Sequence, residues 1–300
     1  MTVLPFVAEP PGDPGLVEEV AQAAARAWGL AAPELLRAGM NVLFSCGEEV
    51  VLRVGRTTAP PEQGVWLLGL LAGAGLRVPR AVVAEPFLHP SGLSVVALER
   101  LHPSGPIDWR EVGGMIRRLH SLAPAEVEGH YPLARAVDFP HWEIERVRRE
   151  VDDLLQPAAA AALDAALVRA ADWRGRCAAE PQVLCHGDVH PGNVLQTADG
   201  PVLLDWDLMC TGPAAWDHAA VMTWGERWDG EPDLYAEFAA GYGGSLRGTA
   251  AGEMLAEVRL LVATLMRVRA GRHDPMAAEE ADRRLRYWLG DPDAPRWRPA

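Results

Sequence analysis

"VLCHGDVHPGNVLQTADGPVLLDWD", residues 183–207, decides how the rest of the chain is read. Two apolar runs, Val183–Cys185 and Val202–Leu204, end in His186 and Asp205. Between and beside them stand Asp188, His190, Asn193 and Asp207, spaced by glycine and proline in a way that core packing does not require. Asp188 follows an apolar strand in a glycine-flanked loop, where a carboxylate can accept a proton or orient a hydroxyl. Asn193 and Asp205 are hard oxygen donors of the type that suits Mg²⁺. Asn193 opens the strand "NVLQ" and Asp205 closes "PVLLD", so a hairpin turning at "TADG" brings the two together. Two such ligands beside a base carboxylate suit metal-assisted phosphoryl transfer, in which positioning and charge neutralisation supply most of the rate.

Outward from this stretch the chain changes texture once. "GDPGLVEEVAQAAARAWGL" predicts a helix capped by Asp13, with Leu16, Val20, Ala24 and Trp28 on one face. Residues 35–55 predict three antiparallel strands broken at Gly39–Asn41 and Gly47–Glu49. A helix over "PEQGVWLLGLLAGAG" follows, closed by Gly75, and then two strands, "AVVAEPF" and "LSVVALERL". Beyond Pro103 the pattern is helical. Asp108 and Glu111 form a capping box before the stripe Val112, Met115, Ile116 and Leu119. Long helices are expected over 157–175 and 249–270, and the opening hairpin is the one β-like interruption. The fold class read from this order is α+β, with a small antiparallel sheet before a larger helical part. The junction falls near Glu99–Ser104.

Composition narrows the chemistry. The 300 residues carry a formal charge of −13, which argues against nucleic acid or an anionic membrane as partner. All 28 basic residues are arginine, so mechanisms that need a lysine, such as a Walker A loop or a Schiff base, are excluded. The four cysteines are widely spaced, with no C-x-x-C pair, as isolated reduced thiols would be. No run is long and apolar enough to span a bilayer, and "MTVLPFVAEPPGDPG" is no export signal, so a cytoplasmic protein is expected.

"HGDVHPGN" followed by "LLDWD" resembles the catalytic loop and metal-binding segment of the aminoglycoside phosphotransferase family, small-molecule kinases with a protein-kinase-like fold. "RAGMNVLF…VVLRV", "LLAGAGLRVPR", "GGMIRRLHSL" and "GPAAWDHA" extend the likeness over most of the chain. The resemblance implies a bilobal fold, with a nucleotide-binding lobe over 1–99 and a helical lobe with the acceptor site over 100–300. It implies that Asp188 is the base, that Asn193 and Asp205 hold Mg²⁺, and that ATP is the phosphoryl donor, with GTP open. Arg53 stands where kinases carry their phosphate-gripping lysine, and a planar guanidinium fork can serve there. Glu62 is expected to pair with it. The loop at Gly39 and Asn41 would lay backbone N–H groups on the phosphates, and Glu99–Leu101 would offer backbone groups to adenine. His186 and His190 would brace the loop, and Asp217 would tie its backbone to the next helix. Asp207 would either cap the following segment or approach the metal.

The acceptor is expected to be a small hydroxyl compound, polar or cationic. "WGERWDGEPD", residues 224–233, sets four carboxylates, Glu226 and Asp229 among them, against one arginine. Trp224 and Trp228, one helical turn apart, can stack on a ring or an ammonium group. Glu279, Glu280 and Asp282 each precede an arginine by four residues and read as paired surface charges. Three rival readings compete with the kinase. A metal-dependent hydrolase would use His186, Asp188 and His190 as an H-x-D-x-H set, but glycine and proline break that run. A non-catalytic nucleotide-binding module would have lost the base or a metal ligand. In a protein kinase, more than the eleven residues between Asp205 and Asp217 would be needed to dock a polypeptide.

Overall fold

Asp13 sets the start of the first helix: its carboxylate accepts from the N–H of Gly15 at 2.7 Å and of Leu16 at 3.2 Å. The structure, a computed structural model, describes residues 11–56, 58–228 and 230–299. In chain order the elements begin with α1 (Pro14–Ala27), β1 (Glu34–Arg37), β2 (Val42–Cys46), β3 (Val50–Gly55), α2 (Pro61–Gly73), β4 (Phe87–Leu88) and β5 (Ser94–Glu99). Then come α3 (Trp109–Ser121), β6 (Ala134–Arg135), α4 (Ile144–Glu150), α5 (Pro157–Arg169), α6 (Trp173–Ala179) and β7 (Gln182–Cys185). The chain continues with β8 (Val194–Thr197), β9 (Gly200–Leu203), β10 (Cys210–Pro213), α7 (Ala215–Arg227), α8 (Leu234–Tyr242), α9 (Ala250–Ala270) and α10 (Pro275–Trp288). Two compact units result. The first takes in residues up to Asp108, Leu122–Leu133 and Pro191–Met209; the second holds the remainder. Both are discontinuous in sequence.

In the first unit five strands form one antiparallel sheet, ordered β1-β2-β3-β5-β4. Val20 and Ala24 of α1 bury against Phe44, Leu52 and Val95 of its inner face, which is the apolar stripe expected for that helix. Residues 81–87, expected as a strand, form almost none. Ala81 makes a single bridge to Leu98 and Val82 one hydrogen bond to Ala97, and only Phe87 joins β4. Pro86 lacks the N–H that a continued ladder needs. A separate hairpin pairs β8 with β9, Val194 opposite Leu203 and Thr197 opposite Gly200.

In the second unit the predicted stripe of α3 is fully buried, with Val112, Ile116 and Leu119 at 0% exposure. The expected helix over 157–175 is two helices, α5 and α6, because the turn at 170–172 redirects the chain. That turn lets Trp173 bury against Trp142 and Trp216 instead of continuing along α5. β10 adds strand pairings that the sequence did not suggest, parallel to β6 and antiparallel to β7. All four cysteines are buried free thiols. Among the described residues no helix is long and apolar enough to cross a membrane.

α3 and α8 cross at glycines. A Cβ at Gly241 would sit 1.7 Å from the carbonyl oxygen of Arg110, and one at Gly113 would sit 1.9 Å from that of Phe238. Backbone cannot yield as a side-chain tip can. Gly241→Ala should therefore destabilise by roughly 3 kcal/mol. Gly69, exposed in α2, has no atom within 4 Å of the place an added Cβ would take, and should respond with the opposite sign. Gly69→Ala should stabilise by up to about 1 kcal/mol. Denaturant midpoints at equal m-values check both.

Candidate active site

The hairpin places Asn193 and Asp205 at its open end. The N–H of Leu204 donates to the carbonyl of Asn193 at 2.9 Å, which fixes the two strand ends side by side. Asn193 closes a short 3-10 turn, Pro191–Asn193, and does not itself belong to β8. Just past β9 the backbone of Asp205 turns into the left-handed region, φ 57° and ψ 72°. It is the one non-glycine residue among those described with a positive φ. Such a conformation is disfavoured for most side chains and tolerated best by Asp and Asn, and it recurs where a side chain must be aimed at a ligand.

Arg53, central in β3, points into the same unit's acidic corner. Its guanidinium is paired with the carboxylate of Asp207 and lies 3.4 Å from that of Asp205. Burial opposes the charge on Arg53, but Asp207 and then Asp205 outweigh it and hold its pKa above the ordinary value. The partner expected for Arg53 was Glu62, and the ion pairs go elsewhere: Glu62 is exposed in the first turn of α2. Asp207, left open by the sequence between a cap and a metal ligand, is committed to Arg53. Its carbonyl also accepts from Thr58 Oγ1 at 3.1 Å. A cavity opens between α2 and β5, lined by Arg53, Asp205 and Asp207 together with the apolar Leu67, Val96 and Leu98.

In the second unit the segment after β7 is anchored by Asp217, which is fully buried in α7. Its carboxylate accepts from the N–H of His186 at 2.9 Å and of Gly187 at 2.8 Å, and lies 3.1 Å from Nε2 of His120. His186, also fully buried, accepts from the N–H of Asp188 at Nδ1, 3.3 Å. Asp188 is thereby presented on a pinned turn. Its Oδ2 lies 3.3 Å from Nε2 of His190, and its Oδ1 accepts from Arg259 at 2.8 Å. Burial would raise the pKa of Asp188, but His190 and Arg259 prevail and hold it well below the usual carboxylate range. Arg259, on α9, is not legible in the sequence because 71 residues separate it from Asp188.

Residues 45–261 match the family described as "Phosphotransferase enzyme family". This chain belongs to that family. No curated protein matches its sequence. Among solved structures it is similar to a spectinomycin phosphotransferase in complex with ADP and spectinomycin, at 17% identity and a TM-score of 0.62, over 86% of this chain and 89% of that one. It is also similar to a choline/ethanolamine kinase family protein from Mesorhizobium loti, at 18% identity and TM-score 0.59, over 87% and 89% of the two chains. A third is an amicoumacin kinase in complex with AMP-PNP, Ca²⁺ and Ami, at 10% identity and TM-score 0.67, over 94% and 95%. The fold is thus the α+β, kinase-like fold of the aminoglycoside phosphotransferases.

The other sequence-expected residues of this phosphotransferase are placed as follows. The Asn41 amide folds over β3, where a Cβ at Gly55 would lie 2.1 Å from its oxygen, and Gly39 lies in the β1–β2 turn. At 99–101 two backbone donors are already used: the Glu99 N–H on the carbonyl of Arg80 and the Arg100 N–H on that of Glu49, with Leu101 half-buried beyond them. Trp224 stacks face to face on His190, centroids 5.1 Å apart, and on Trp228 at 4.8 Å. Trp228 is buried against Trp297. Glu226, which has no arginine four residues away, pairs instead with Arg247 at 3.1 Å. Asp229 lies outside the described residues. The cluster at 279–282 is not a row of surface pairs: Glu280 and Arg284 are buried and bonded at 2.9 Å, Glu279 pairs with Arg298, and Arg286 bonds Asp291. The H-x-D-x-H set of the hydrolase reading does not assemble. Among the described residues, the one group of three such side chains with ligand atoms within 4.8 Å of one another is His120, Cys185 and Asp217.

A buried histidine should make the fold of this phosphotransferase acid-sensitive. His218 is fully buried, with Nδ1 3.1 Å from the Tyr235 hydroxyl, and burial, aided by His120 against Asp217, pushes its pKa down to about 4. The folded state thus favours neutral His218, whereas the unfolded chain takes up a proton near pH 6.5. Stability should be intact above about pH 6.5 and fall towards pH 4, by about 3 kcal/mol for this group. His141, also held at about 4, chiefly by burial, adds a similar loss. Thermal melts between pH 7 and pH 4.5 should show a shallower decline for His218→Asn. A parallel decline would remove His218 as a cause.

Proposed function

We propose that this protein transfers the γ-phosphoryl group of ATP to a hydroxyl of a small molecule. GTP is the alternative donor. The observation that carries this reading is Asp205, aimed by a left-handed backbone at the hairpin end beside Asn193 and Arg53, in a chain of the phosphotransferase family. The donor set fits a divalent cation: a carboxylate and a side-chain amide oxygen, with nearly half of the Asp205 side chain exposed. Asn193 and Asp205 would hold Mg²⁺, which when bound neutralises charge on the β- and γ-phosphates. Arg53, held charged by Asp207, would grip phosphate oxygens through its fork. The turn at Gly39 and Asn41 would lie along the phosphates, and backbone groups at Glu99–Leu101 would meet adenine. Asp188 would orient the acceptor hydroxyl. As the oxygen–phosphorus bond forms and the bond to the leaving diphosphate breaks, the hydroxyl proton passes to the carboxylate.

The lobes are proposed to divide at 99–100, with a cytoplasmic location. The acceptor is a hydroxyl-bearing compound, and the half-buried Trp224 offers a stacking surface for it. Glu226 is already paired with Arg247 and Trp228 is buried, so neither favours a cationic acceptor as the sequence suggested. The test is a mass-shift screen of purified enzyme with Mg·ATP and Mg·GTP. It is run against aminoglycosides, spectinomycin, choline, macrolides, homoserine and sugars. Gain of one phosphoryl group on an acceptor supports the reading. No transfer, no nucleotide hydrolysis and no Mg-dependent nucleotide binding would together refute it.

A further inference from the structure

Asp188 is gripped on both oxygens. Oδ1 takes Nη2 of Arg259 at 2.8 Å and Oδ2 faces Nε2 of His190 at 3.3 Å. The other arm of the same guanidinium, Nη1, donates to the carbonyl of Gly187 at 3.1 Å. One arginine therefore ties down both the carboxylate and the backbone of the turn that carries it. The Arg259 side chain is only 10% exposed, and its guanidinium lies 5.4 Å from the ring centre of Trp142 and 5.9 Å from that of Trp216. On the opposite side, His190 is held flat by Trp224, which stacks on Trp228, itself met edge-on by the fully buried Trp297.

We propose that Arg259 is a positioning residue for the phosphoryl-transfer reaction, fixing the orientation and the ionised state of Asp188. The inference rests on the reading of Asp188 as the group that meets the acceptor hydroxyl. Rotation of the carboxylate would break its contacts with both Arg259 and His190, while the other arm of the fork holds the turn's backbone in place. The acceptor hydroxyl then meets a fixed hydrogen-bond acceptor that is ready before the substrate arrives. The groups facing Asp188 are Arg259 from α9, His190 and His186 from its own turn, and His141 from the 3-10 turn before α4, Pro140–Trp142. Of these, Arg259 carries a guanidinium, which stays charged throughout the working pH range.

The test uses the full chain labelled with ¹³C-carboxyl aspartate, Asp188→Asn identifying the resonance. Arg259→Met keeps an unbranched apolar side chain beside the tryptophans and removes the charge; Arg259→Lys restores the charge without the fork. In the wild type Asp188 should titrate below the usual carboxylate range. In Arg259→Met its midpoint should rise towards that range, and in Arg259→Lys part of the way. An unchanged midpoint in both variants would overturn the proposal. Should Arg259→Met not fold, an unchanged midpoint in Arg259→Lys overturns it alone and a raised one supports it. With any acceptor found in the screen, Arg259→Met should lose roughly 10²-fold in kcat, with KM for ATP unaltered and the acid limb of kcat/KM moved to higher pH. A parallel loss in kcat with an unmoved acid limb would reduce Arg259 to packing. Full transfer by Asp188→Asn would instead refute Asp188 as the base and leave the titration result standing.

Discussion

Asp205→Ala should lose roughly 10³-fold or more in turnover, because a Lewis-acid metal contributes several kcal/mol to a phosphoryl-transfer transition state. Its affinity for nucleotide should also cease to depend on Mg²⁺. Alanine confounds this measurement through the backbone: at φ 57° it has none of the local hydrogen bonding that eases Asp into the left-handed region. That alone costs about 1–2 kcal/mol of stability. Asp205→Asn separates the two effects, since asparagine adopts the same conformation without the charge. The expected pattern is near-native thermal stability for Asp205→Asn, lowered stability for Asp205→Ala, and the same loss of Mg-dependent binding in both. Arg53 keeps Asp207 as its partner in either variant, so the phosphate clamp should remain charged. Calorimetric titration of ATP with and without Mg²⁺ reads this directly. Wild-type turnover in either variant would show that Asp205 holds no metal that matters.

Asp188→Asn should lower kcat by roughly 10²–10⁴-fold while leaving nucleotide affinity close to native. A base aligned to the acceptor acts as the transition state forms and contributes nothing to binding of the donor in the ground state. The asparagine is isosteric, so the turn pinned by Asp217 should keep its shape. Arg259 is nevertheless left without its anion. Removing one partner of a fully buried pair costs about 3–5 kcal/mol, but the Asp188 side chain is 32% exposed and solvent reduces that figure. A stability loss of about 1 kcal/mol is expected, with binding of Mg·ATP preserved. Equal losses in ATP affinity and turnover would instead assign Asp188 to the metal or to the scaffold.

What could be read before folding was what neighbouring residues settle among themselves. Asp13 and Pro14 mark a helix start through hydrogen bonds spanning two or three residues. The stripe on α3 declares a buried face because helical periodicity repeats within one turn. Asn193 and Asp205 are twelve positions apart, yet the hairpin between them has tight turn chemistry, so their meeting also follows from local sequence. The most specific part of the family resemblance lies in the same short stretch.

Ion-pair partners were decided elsewhere. Arg53 bypasses the nearby Glu62 for Asp205 and Asp207, more than 150 residues away, because the hairpin and not the first turn of α2 brings carboxylates to β3. Glu226 takes Arg247 rather than a helical neighbour, and the Glu280–Arg284 pair, legible from its four-residue spacing, is buried where the sequence placed it at the surface. The helix expected over 157–175 breaks for Trp173, and the gain lies in a tryptophan cluster invisible to periodicity. Local sequence determined which residues carry the chemistry and how each short element holds them, since capping, turns and periodicity act over a few residues. Tertiary packing decided what Arg53 and Arg259 face, because a charge pairs with whatever the fold carries to within a few ångströms, regardless of separation along the chain.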